Sequence, residues 1–171
     1  MNALDVLRDM ASRPANQARA LPLLSSEQLN AHPGDHPNSI AWLLWHAARQ
    51  ADAQLTDLAG RQQLWGIYRE RFNLGELGDT IGLGHTPEEA GSIVVNDQDL
   101  LLDYLCGTFE AMEVYLDRLT EDDLDDVVDD SWVPPTTRGV RLVSIIDDAA
   151  QHVGAAFHIA GILLEQPAGQ V

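Results

Sequence analysis

The sequence predicts an all-α protein, an antiparallel four-helix bundle with short additional helices in its connections. Four long segments repeat apolar residues at helical spacing, the period-two alternation of half-buried strands is nearly absent, and Gly- and Pro-rich connections separate the segments. At 171 residues and 45% apolar content the chain reads as one domain over 1–171, able to bury a substantial core.

The first helix is expected over roughly 2–20, where Leu4, Leu7 and Met10 share a face, and Pro14 should kink, interrupt or restart it because it lacks an amide hydrogen. Ser25-Ser26-Glu27-Gln28 has the form of a capping box for a short turn, and the Pro/Gly/His-rich residues 32–38 form a loop. Ser39 then caps a second helix over about 39–59 that stops at Gly60, with Ile40, Leu43, Leu44, Ala47, Ala51, Leu55 and Leu58 in one stripe. Trp42, Trp45 and His46 lie off that stripe, and the first two turns are apolar almost all round. That end should therefore be buried on more than one side.

Residues 61–72 predict a shorter helix and 73–85 a Gly-rich connection ending in GLGH. Thr86-Pro87-Glu88-Glu89 combines an N-cap, a first-position proline and a third-position acid, so a short helix follows. A third long helix over about 97–119 turns Leu101, Leu105, Phe109, Met112, Tyr115, Leu116 and Leu119 inward, and Thr120 caps the next turn. The run EDDLDDVVDD lacks the glycine and terminal Glu of a calcium loop and reads as a solvated turn. After Trp132-Val133-Pro134-Pro135, the fourth helix spans about 139–165, with Ile145, Ile146, Ala149, Ala150, Val153, Ala156, Phe157, Ala160 and Leu164 on its core face.

Composition excludes several functions. The formal charge is −17, from 10 basic and 27 acidic residues, which repels nucleic acid and anionic membranes. Every basic side chain is Arg, so chemistry that needs a lysine lacks its central residue. Cys106, the lone cysteine, can form no internal disulfide or thiolate cluster, and its mid-helix position suits a small core residue. With no leader-like N-terminus and no membrane-length apolar run, a cytoplasmic protein is expected.

The candidate chemistry lies in two of the helices. Asp148 and His152 stand four residues apart, an offset of about 40° that aims both side chains at one point, whereas His158 is turned about 120° from His152. A third ligand from a facing helix would complete a metal site. From spacing alone, Asp148 can equally orient or ion-pair with His152, or be a surface acid beside Asp147. Trp42, Trp45, Trp65, Tyr68 and Trp132 are candidates for a pocket wall, Arg49 and Arg138 for binding an anionic group, and His85 for a catalytic histidine on a flexible loop. Core packing for the aromatics and solvated surface for the arginines and His85 are the structural alternatives.

The segments NSIAWLLWHAARQADAQL, QQLW, ERFNL, GLGHTPEE and GVRLVSIIDDAAQHVG together resemble the DinB/YfiT-like superfamily of metal-dependent thiol transferases, in the branch related to the N-terminal domain of mycothiol-dependent maleylpyruvate isomerase. The resemblance covers nearly the whole chain. It implies a divalent metal held by a histidine of the second helix and an i, i+4 pair on a later helix, which here are His46, Asp148 and His152. Two positions depart from the family pattern: Ala155 replaces the Gln of His-x-Gly-Gln, and Asp148 stands where relatives carry His or Glu.

Two histidines and one carboxylate leave coordination positions open, as catalytic rather than structural sites do. Zn²⁺ is the first expectation, with Ni²⁺, Fe²⁺ and Mn²⁺ compatible with the same donors. The resemblance implies a low-molecular-weight thiol of the mycothiol type as co-substrate, activated by the metal for attack on a small electrophile. A non-catalytic bundle binding a small ligand or protein partner, and a metal-dependent hydrolase, are the alternatives. Pairing into a homodimer is also implied, which the −17 charge opposes unless the interface is apolar.

Overall fold

The periodic segments become four long helices in the computed structural model, which describes residues 1–165: α1 (Ala3–Arg19), α3 (Ile40–Ala59), α7 (Gln98–Leu116) and α8 (Arg138–Glu165). Short helices α2 (Ser26–Leu29), α4 (Trp65–Phe72), α5 (Gly75–Asp79) and α6 (Pro87–Gly91) occupy the connections. The acidic run forms a single 3-10 turn, Asp122–Asp125, and a small antiparallel hairpin pairs β1 (Val127–Asp129) with β2 (Thr136–Thr137). No helix among the described residues is long and apolar enough to cross a membrane.

The helix starts follow their capping chemistry. Asn2 and Asp5, Ser25 and Gln28, and Thr86 and Glu89 form reciprocal capping boxes, while Ser39 and Asp97 accept from the amides of Trp42 and Leu100. α1 runs unbroken through Pro14, which forgoes one backbone hydrogen bond and is itself buried. Met10, expected on the core face, is 37% exposed, and Ala11 fills the buried position beside it.

Side-chain bonds fix the helix directions. Arg8 meets Asp117 and Arg19 meets Glu110, so α1 and α7 are antiparallel. Gln50 donates to the Ile145 carbonyl and Arg141 donates to Gln54, so α3 and α8 are antiparallel too. Tyr104 bonds to Asp52 and Tyr115 to the Leu58 carbonyl, which sets α3 and α7 running the same way. Two parallel helices consecutive in the bundle require a return along its length, and this is the physical reason for the long connection that carries α4 to α6.

The core is filled by the inner faces of all four long helices. α3 lies deepest: Ile40 to Asp52 are all buried, Trp42, Trp45 and His46 included. Its antiparallel partner α8 outruns it. With Gln50 against Ile145 and α3 starting at Ile40, α8 passes the end of α3 at about residue 155. The buried face of α8 accordingly ends at Ala160, and Leu164, expected in the core, is half exposed.

Arg49 and Asp52 tie α3 to the return connection. Arg49 donates to the carbonyls of Gly78, Asp79 and Thr80, to Gln63 and to the Tyr104 hydroxyl, and its guanidinium lies 4.8 Å from the Trp65 ring centroid. Asp52 accepts from Arg61, from the Tyr104 hydroxyl and from the Leu64 and Trp65 amides, capping α4 from another helix. Replacing Asp52 with Ala leaves buried donors and cations without their acceptor. A loss of about 3–5 kcal/mol is expected in urea unfolding, and a loss within the range of an ordinary surface substitution would contradict this role.

Candidate metal centre

Helical spacing and bundle register together bring three donors to one point. α8 presents Asp148 and His152 one turn apart, and the facing first half of α3 presents His46, so that one ligand atom from each lies within 4.8 Å of the others. Asp148 Oδ2 is 3.7 Å from His46 Nε2 and 3.5 Å from His152 Nδ1. The shorter aspartate therefore reaches the same point as the histidines.

Backbone carbonyls set both imidazole tautomers. His46 Nδ1 donates to the Ile81 carbonyl, and His152 Nδ1 donates to the Asp148 carbonyl one turn back, at 2.7 Å. A carbonyl can only accept, so each Nδ1 carries the proton and each Nε2 keeps its lone pair. Histidine ligands of metals are held in this way.

In this arrangement no hydrogen stands between Asp148 Oδ2 and His46 Nε2, and Oδ2 is buried without a hydrogen-bond partner. A carboxylate oxygen facing an imidazole lone pair at that distance is unfavourable unless a cation or a hydrogen-bond donor lies between them. A proton on His46 is opposed because burial, the largest influence, holds this imidazole below its ordinary pKa. The Ile81 carbonyl and Asp148 act against that shift, and His152 and His85 add to it. The donor set thus fits a divalent cation: two imidazole nitrogens and one carboxylate oxygen suit Zn²⁺ and equally Ni²⁺, Fe²⁺ or Mn²⁺.

The donors face a cleft of about 290 Å³ walled by Asn38, Trp42 and the turn Gly82 to His85. Trp42 stacks on His46 with ring centroids 4.6 Å apart and planes 12° apart. Its indole N–H donates to His85 Nδ1, while His85 Nε2 lies 2.8 Å from the Thr80 hydroxyl, which itself donates to the Leu77 carbonyl. Both nitrogens of His85 are therefore engaged, Nε2 as a donor, and the ring is stacked beside Trp45. Gly82 allows the turn to approach so closely. Its φ is +85°, and a Cβ there would lie 2.9 Å from both His46 Nδ1 and the Trp45 ring.

Of the expected site residues, the structure brings together His46, Asp148 and His152, with Trp42 and His85 in the cleft wall. Arg49 does not reach the cleft; its donors are turned to the return connection. Arg138 is bonded to Asp126 and the Tyr115 hydroxyl. Trp65 and Tyr68 pack with Phe72 and Tyr104, and Trp132 is exposed. Cys106 is buried, which raises its thiol pKa. Ile81, Gly82 and Asn38 were not singled out from sequence, and the Gly-rich GLGH connection was the available signal for the first two.

The DinB superfamily profile matches residues 11–156. The crystal structure of a conserved protein from Enterococcus faecalis is similar over 97% of this chain and 99% of that one, at a TM-score of 0.87 and 35% identity. No curated protein matches the chain.

Because Gly82 lets the Ile81 carbonyl reach His46, Gly82→Ala should displace that carbonyl and weaken metal binding about 10- to 100-fold, with helical content retained. Unchanged affinity by calorimetric titration with Zn²⁺ would contradict the role given to this turn.

Proposed function

The chain belongs to the DinB superfamily, and from that premise we propose that it is a divalent-metal-dependent thiol S-transferase, joining a low-molecular-weight thiol of the mycothiol type to a small electrophile. The observation that carries this reading is the convergence of His46, Asp148 and His152 on one point beside an open cleft, with a buried Asp148 oxygen left unpartnered. Three protein donors leave room for an exchangeable ligand, which distinguishes a reactive centre from a closed structural one.

His46 through Nε2, His152 and an Asp148 oxygen would hold the cation. When bound, it supplies the Lewis acidity that favours a thiolate over a thiol at neutral pH. The protein supplies the rest by positioning. The Ile81 and Asp148 carbonyls accept the Nδ1 protons, so each imidazole keeps its lone pair on Nε2. Trp42 covers one face of His46 and keeps bulk water from that side. His85 and Thr80 brace the indole, and the Gly82 to His85 turn leaves the cleft mouth open to the two reactants. In the overall transfer the S–H bond breaks and the sulfur electron pair forms the new bond to the electrophilic carbon, the carbon–leaving-group bond breaks with its electron pair going to the leaving group, and the thiol proton passes to solvent or to that leaving group.

Two measurements test the reading. His46→Ala and His152→Ala, prepared without a histidine tag, should each lose most bound divalent metal while retaining the circular dichroism of a helical bundle; equal metal content in wild type and both variants would contradict the ligand assignment. Metal-loaded protein should consume 1-chloro-2,4-dinitrobenzene only when a small thiol is supplied. Consumption at the same rate without thiol would indicate hydrolysis and overturn the transferase reading.

A further inference from the structure

Next to the metal cleft lies a second recess of about 280 Å³, lined by Pro33, Leu43, Ala155, Ile159 and Ile162 together with Asn38, His36 and His158, and most of its exposed surface is apolar. We infer that this recess holds the carbon skeleton of the substrate, so that the chain acts on electrophiles bearing an uncharged apolar group of several carbons beside the reacting centre. The inference rests on the metal-site reading above and adds the substrate class.

Continuity with the site supports it. Asn38 lines both the cleft and the recess. On α8 the residues Asp148, His152, Ala155, Ile159 and Ile162 follow one another at steps of four, three, four and three, a single helical stripe that begins with the ligands and ends in apolar side chains. On α3, Leu43 stands one turn before His46. The recess exists because α8 outruns α3, so that among the described residues the face beyond Ala155 meets Leu43 at the start of α3 and the turn around Pro33 and Asn38. Ala155 ends at Cβ, so no bulky side chain stands between His152 and Ile159 on this stripe.

Charge and size narrow the occupant. The larger cavities at Gln54 to Arg141 and at Arg19 to Glu110 are lined by carboxylates and guanidinium groups, whereas the polar side chains of this recess are Asn38 and the histidines His36 and His158, with no acid or arginine among them. In a chain of formal charge −17, such a surface favours an uncharged alkyl or aryl group. Its volume is at the lower end of small-ligand pockets, which suits a group of several carbons rather than a partner helix.

A series of n-alkyl hydroxamates separates the chain's apolar contact from the metal contact, since the hydroxamate head chelates the cation and only the tail grows. With Zn²⁺-loaded protein, calorimetric Kd should tighten about two- to fourfold per added methylene and level off once the recess is filled. Ala155→Phe should flatten that dependence while leaving zinc stoichiometry and acetohydroxamate affinity unchanged. A flat series in wild type with stoichiometric zinc overturns this inference and leaves the metal reading standing. Failure to retain zinc at all overturns both. A gain that vanishes on dilution as a dimer dissociates would assign the recess to a second copy of the chain, and also overturns the inference.

Discussion

The interaction on which the rest of the structure depends is the buried Arg49–Asp52 node on α3. Its charges are fully enclosed, a costly arrangement unless their hydrogen-bonding capacity is met. It is met by three consecutive carbonyls of the return connection, two amides at the start of α4, Gln63, Arg61 and the hydroxyl of Tyr104 on α7. One node therefore fixes where the connection runs, where α4 begins and how α7 lies against α3.

The consequence for the site is direct. Arg49 holds the backbone at residues 78 to 80, and the next carbonyl, that of Ile81, is the one that orients His46. The ligands themselves come from two long packed helices, which hold position better than loops do, while the loop contributes only a carbonyl and a cleft wall. Candidate ligands on rigid helices, braced by a pinned loop, are preorganised, so little ordering would remain to be done for a cation to be held there.

Much of the fold was legible because it depends on local chemistry. Capping residues placed the starts of α2, α3 and α6, and the all-round apolar character of early α3 foretold its depth in the bundle. The exchange of Met10 for Ala11 at the core was not legible. Both fit an apolar stripe, and only the approach of α7 and α8 decides which side of α1 is covered. Arg49 shows the same limit more sharply. An arginine in a helix suggests a solvated or anion-binding cation, and nothing local to it reveals that three carbonyls some thirty residues later will enclose it.

By itself, the sequence determined the helical class, the helix starts, and the pairing of Asp148 with His152, since a four-residue step on a helix is a local geometric fact. Tertiary structure alone decided that His46 meets that pair, that α3 and α7 run parallel, and that Ile81 and Gly82 close on the site. These depend on register between segments about 35 to 100 residues apart, and register is set by the whole packed core rather than by any residue's own preference.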